Sequence, residues 1–103
     1  MVTELVFFDL PKGASREEVL ALYRQTAGTW AENPDLIQKH YVIDEESWTG
    51  GGVYIWKDRA AAQRWHGPEF VEMVTARYGG PPRIQILDAV LRVDAVAGRV
   101  EEL

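Results

Sequence analysis

The sequence predicts a mixed α+β fold built on one antiparallel sheet, and three observations predict it. Short β-favouring runs alternate with helical repeats of apolar residues, their order is βαββαβ, and breaks rich in Gly and Pro separate them. A length of 103 residues, 47% of them hydrophobic, suits one domain with one core.

Leu5-Val6-Phe7-Phe8 reads as the first strand, apolar toward both faces and closed by Pro11-Lys12-Gly13. Ser15 stands three residues before Glu18, the spacing at which hydroxyl and carboxylate satisfy each other's free amides at a helix start. Val19, Leu20, Tyr23, Thr26, Ala27 and Trp30 then recur at helical spacing, and Asn33-Pro34 stops the helix. Leu36 to Ile43 forms the second strand, with Leu36, Gln38, His40 and Val42 alternating against Ile37, Lys39, Tyr41 and Ile43. Asp44-Glu45-Glu46 and Gly50-Gly51-Gly52 lead into a third strand, Val53-Tyr54-Ile55-Trp56, as its hairpin partner. Asp58 caps a helix from Arg59 to about His66, and Gly67-Pro68 breaks it and restarts it through Tyr78. After Gly79-Gly80-Pro81-Pro82, Ile84 to Leu87 and Val90 to Val93 supply one long strand or a strand pair, and Arg99 to Leu103 gives no clear signal.

The order βαββαβ is a ferredoxin-like topology with helices on a single face of the sheet. Yet the first, third and fourth strands carry large apolar groups toward both faces, where a water-facing sheet alternates apolar with polar. A second copy of the chain is the simplest cover, each covered side chain contributing roughly 1.5–3 kcal/mol, so the expectation is a homodimer with sheets face to face.

Charge and composition narrow the partners. With 11 basic and 16 acidic side chains the net charge is −5, which repels a phosphate backbone. The absence of Cys excludes disulfides and thiolate chemistry and permits a reducing cytoplasm. No apolar run approaches the roughly 20 residues of a membrane helix, and Met1-Val2-Thr3-Glu4 lacks a basic leader. A soluble cytoplasmic protein without nucleic-acid or membrane partners is expected.

Two families share this outline. An RNA-recognition domain has the same element order, but its three base-stacking positions are filled here by Val6, Gly51 and Val53, and its leading basic residue is Thr49. The stronger likeness runs through nearly the whole chain. Leu36-Ile37-Gln38-Lys39-His40-Tyr41, the acidic stretch Asp44-Glu45-Glu46, Gly51-Gly52-Val53-Tyr54-Ile55-Trp56-Lys57-Asp58 and the Ala-rich helix resemble the YdhR-type monooxygenases of the dimeric α/β-barrel superfamily. The resemblance implies a homodimeric barrel with apolar pockets, in a superfamily whose members include oxygenases that use dioxygen without metal or flavin. It implies no catalytic residues, so the site is read from local chemistry.

His40 is the expected catalytic base, an imidazole able to accept a proton near neutral pH, with a hydrogen-bonded histidine at the dimer seam as the alternative. Gln38 shares its strand face. Gln38, Trp48, Tyr54, Trp56, Trp65 and His66 are the expected substrate-binding groups, the rings stacking on a flat apolar or aromatic compound; the alternatives are core packing for the strand and helix rings, a dimer contact or loop lid for Trp48 and a helix-end dipole partner for His66. The Gly triplet precedes a strand and lacks the Lys-Ser/Thr ending of a phosphate loop. The two histidines lack metal-ligand spacing and neither is marked as a haem ligand, so no metal and no cofactor is expected. The function read from the sequence is a cofactor-independent monooxygenase; a non-catalytic ligand-binding barrel and an RNA-binding domain are the alternatives.

Overall fold

The computed structural model describes residues 1–103. Its elements are β1 (Val2–Asp9), α1 (Arg16–Ala31), β2 (Leu36–Asp44), β3 (Thr49–Trp56), α2 (Arg59–Trp65), α3 (Pro68–Tyr78), β4 (Arg83–Asp88), β5 (Leu91–Asp94) and β6 (Arg99–Glu102). The first seven give the ferredoxin-like order with the second helix broken in two, and the sheet runs β2-β3-β1-β4, all antiparallel.

Local chemistry sets the boundaries. The Ser15 hydroxyl accepts the Glu18 amide at 3.1 Å while the Glu18 carboxylate accepts the Ser15 amide at 3.2 Å, so α1 begins with both free amides satisfied. Asp58 accepts the Ala61 amide at 2.8 Å to start α2. Gly67-Pro68 divides α2 from α3, with Pro68 at a first-turn position where its missing N–H costs nothing. Gly79, at φ +94°, ends α3 in the left-handed conformation that glycine adopts without strain.

Val2, Glu4, Val6 and Phe8 of β1 turn toward the helices and are buried, together with Tyr54 and Trp56 of β3. Val19 and Tyr23 of α1, Ala61 and Ala62 of α2, and Phe70, Val74 and Tyr78 of α3 complete the core. Thr3, Leu5, Phe7, Val53 and Ile55 point to the other face, which no helix covers.

Two differences from the sequence reading matter. A β-bulge at Ile37 shifts the register between Leu36 and Gln38, so Leu36 joins Lys39 and Tyr41 on the helix side rather than Gln38 and His40. The tail that carried no signal pairs as β6 with β5, Val93 opposite Val100, in a separate two-stranded sheet. The segment after Pro82 is therefore β4 plus a hairpin; β-favouring residues on only one hairpin strand left its partner illegible.

Candidate functional site

The site lies between the sheet and its helices, and glycine makes room for it. Gly51 has φ +153° and lies so close to the Val6 carbonyl that a Cβ would overlap it. A Cβ at Gly52 would come within 2.9 Å of the Tyr54 ring and 3.1 Å of the Lys39 side chain. One at Gly50 would overlap the Tyr23 hydroxyl. That hydroxyl accepts the Gly51 amide at 3.0 Å and donates to the Val42 carbonyl at 2.9 Å, fastening α1 to the β2–β3 hairpin. The triplet read as a hairpin device thus also hollows the helix-covered side of the sheet.

Phe8, Trp30, Tyr54, Phe70, Met73 and Tyr78 wall the hollow, and Tyr23, Thr26, Lys39 and Tyr41 add polar groups. Thr26 and Tyr41 share a hydrogen bond of 2.7 Å across its mouth. The free space is about 20 Å³, little more than one water needs. Lys39 takes up much of the rest. Its Nζ lies 3.7 Å from the centre of the Tyr41 ring, 4.5 Å from Tyr54 and 4.7 Å from Trp30. The rings' negative faces attract the ammonium. No carboxylate pairs with it, and burial lowers its pKa from 10.5 to about 7. A lysine held there is part amine, part ammonium at neutral pH, able to take a proton or to hold an anion. Burial raises the pKa values of Tyr54 and Tyr78, so both stay neutral donors.

Behind the Tyr54 and Trp30 walls sits a second polar group. Glu4, 0% exposed, accepts the Trp56 indole N–H at 2.8 Å and faces Nδ1 of His66, which is 8% exposed. Burial lowers the His66 pKa, opposed by Glu4 and reinforced by Lys39. The imidazole stacks on Phe70 at 3.8 Å and meets Tyr54 edge-on at 4.4 Å. The structure contains no trio of His, Asp or Glu side chains placed to hold a metal ion.

The sequence-predicted residues do not form one site. Tyr54, Trp56 and His66 come together on the helix side. His40 pairs with Val53 and Gln38 with Ile55, so both point to the opposite, uncovered face. Strand alternation therefore keeps His40 and Gln38 on the face away from the helices and apart from Tyr54 and Trp56 within one chain. Trp48, at φ +53°, donates its indole N–H to the Pro11 carbonyl at 2.9 Å and ties two turns together. Trp65, 40% exposed, donates to Asp35 at 3.0 Å on the surface. Lys39 and Glu4 were missed. A signal for both was present in the alternation: each reads as a charge on an otherwise apolar strand face, Glu4 between Val2 and Val6, Lys39 next to Tyr41 and Ile43.

A family model described as "Putative mono-oxygenase ydhR" matches residues 5–100. No curated protein matches the chain. Among solved structures, an antibiotic biosynthesis monooxygenase superposes with a TM-score of 0.65 at 22% identity, over 87% of this chain and 99% of that one. SnoaB, a cofactor-independent oxygenase from Streptomyces nogalater, superposes at 0.62 with 19% identity, over 85% and 91% of the two chains. MhuD, solved with two manganese protoporphyrin IX molecules per active site, superposes at 0.66 with 16% identity, over 91% and 99%. At these identities the likeness establishes the fold.

Proposed function

The chain belongs to the ydhR mono-oxygenase family, and from that premise we propose that it oxidises a flat, weakly acidic phenolic or enolic compound with dioxygen, using Lys39 as base and anion holder. The observation that carries this reading is the Lys39 amine, enclosed by Trp30, Tyr41 and Tyr54 without a counter-ion. Neutral Lys39 removes an activated C–H or O–H proton, and the resulting ammonium holds the enolate or phenolate between the rings. The electron-rich carbon reduces dioxygen and forms a C–O bond, and the Lys39 ammonium protonates the resulting peroxide anion to a hydroperoxide. Cleavage of the O–O bond with loss of water leaves a carbonyl, so SH2 and O2 give S=O and H2O. Burial of the amine among rings keeps competing water from the anion. The small free volume requires Lys39 and Met73 to swing aside as the ring enters.

The proposed working unit is a homodimer with sheets face to face. Leu5, Phe7, Val53 and Ile55 form an apolar surface that no helix covers. The β5–β6 hairpin exposes Val90, Leu91, Val93 and Val100, and an isolated hairpin is marginal in water. His40 then belongs to the contact between copies. No helix is long and apolar enough to cross a membrane.

Oxygen uptake with anthrone- or quinol-like compounds tests the activity. Uptake by the wild type that Lys39→Met reduces at least about 100-fold supports it; binding of such compounds without uptake leaves a non-catalytic ligand-binding barrel. Light scattering at micromolar concentration tests the dimer, and a monomer there removes it.

A further inference from the structure

Glu4 is the fully buried carboxylate of the chain, and packing alone does not call for it. Its neighbours on the same face of β1 are Val2, Val6 and Phe8, all buried. Taking a carboxylate out of water costs several kcal/mol even when it is paired, and an apolar residue of similar volume fills such a site as well or better. The pairing here is incomplete. Oε1 accepts the Trp56 indole N–H and faces His66 Nδ1, while Glu4 Oε2 and His66 Nε2 have no partner. Buried polar atoms left so are uncommon and point to a role other than stability.

The location indicates which role. The His66 ring lies in an aromatic box, stacked on Phe70 of α3 at 3.8 Å, edge-on to Tyr54 of β3 at 4.4 Å, and 5.4 Å from both Trp30 of α1 and Trp56 of β3. Tyr54 and Trp30 are also two of the three rings around Lys39 Nζ. The Glu4–His66 pair and the lysine thus lean on the same two rings. Of the groups packed about His66, the box contributes only aromatic rings, and the charges are Glu4 on β1 and Lys39 on β2. In so apolar a setting a charge is felt across a ring's width, as it is not in water.

We propose that the buried Glu4–His66 pair, which makes no ion pair with Lys39, tunes the lysine's proton affinity across the shared rings, Glu4 being a positioning residue that acts on the substrate only through the lysine. The proposal rests on the reading of Lys39 as the base. With His66 neutral the pair carries one negative charge and favours the Lys39 ammonium that holds the anion. With His66 protonated the pair is neutral and that support is withdrawn. The lowering of the His66 pKa by Lys39 is the same coupling seen from the other end.

Two NMR titrations of the intact protein, which need no ligand, test it: the imidazole nitrogens of His66 and the Cε carbon of Lys39. Lys39→Met removes the positive charge and is expected to raise the His66 midpoint by about one pH unit. Glu4→Gln is expected to lower the Lys39 midpoint by a similar amount, and to move the acidic limb of oxygen uptake the same way, so that this variant keeps a larger share of its maximal activity at pH 6 than the wild type does. A carboxylate that only held the fold together would not shift that limb. Should Glu4→Gln fail to fold, the Lys39→Met titration decides, since Glu4, His66 and Trp56 are intact in it. A His66 midpoint unmoved by Lys39→Met overturns the proposal; if that variant has also lost oxygen uptake, lysine as the base survives. A moved midpoint with undiminished uptake supports the charge coupling and overturns the lysine as base.

Discussion

The two faces of one sheet are built from the same strands and do different things. Toward the helices, β1 to β3 present Val2, Glu4, Val6, Phe8, Lys39, Tyr41, Tyr54 and Trp56; toward the other side they present Leu5, Phe7, Gln38, His40, Val53 and Ile55. The uncovered face carries its polar groups where water or a second copy can meet them. The covered face holds a lysine, a glutamate and a histidine among aromatic rings, where desolvation lowers the proton affinities of the lysine and the histidine. The proposed chemistry therefore follows burial of the charge, not the presence of a titratable residue in a strand.

The largest effect expected from disturbing this contrast is at Lys39. The folded state lowers the lysine's pKa from 10.5 to about 7, so between those values the unfolded chain binds more protons and stability rises with pH. Below about pH 7 the penalty is fully present. Lys39→Met should therefore make the protein more stable at pH 6, by up to about 5 kcal/mol, with the gain shrinking toward pH 10. Urea unfolding at the two pH values measures it, and a variant less stable than the wild type at pH 6 contradicts the burial of an unpaired ammonium. A gain in stability with a loss of activity is the trade expected at a functional site.

Gly52→Val tests the hollow itself. The added side chain must displace the Tyr54 ring and the Lys39 stem, so a loss of roughly 1–3 kcal/mol is expected along with loss of ligand binding. Thermal melting and titration with an anthrone-like compound follow both. Tyr23→Phe removes the hydroxyl that bridges Val42 and Gly51; it should cost about 1–2 kcal/mol, read by urea unfolding, and leave the pH dependence of oxygen uptake unchanged. The smallest effect is expected on the uncovered face. His40→Ala should alter monomer stability by less than about 0.5 kcal/mol and leave oxygen uptake within about twofold of the wild type, whereas loss of uptake with the dimer intact would return the base to His40.

Much of the fold was legible because it rests on short-range chemistry. The Ser15–Glu18 box, the Asn33-Pro34 stop, the Asp58 cap and the Gly67-Pro68 break each act within one helical turn of the residues that reveal them. Ile37 shows the limit. Its bulge depends on how β2 meets β3, so simple alternation put Leu36 on the wrong face while placing Gln38 and His40 together correctly. Tyr54, Trp56 and His66 were found because large rings stand out in any reading. Lys39 and Glu4 were not, since a strand lysine also serves to guard an edge strand such as β2, and a glutamate near the first residue looks solvated. Only the closure of α1 and α3 over the sheet gives them a buried setting, and that closure is tertiary.

The Lys39 amine lies among the rings of Trp30, Tyr41 and Tyr54, where desolvation lowers its proton affinity. The most direct measurement is the titration of its Cε carbon by NMR in the wild-type protein. A midpoint near pH 7 is the predicted result, and a midpoint near 10.5, that of a lysine in water, would contradict it.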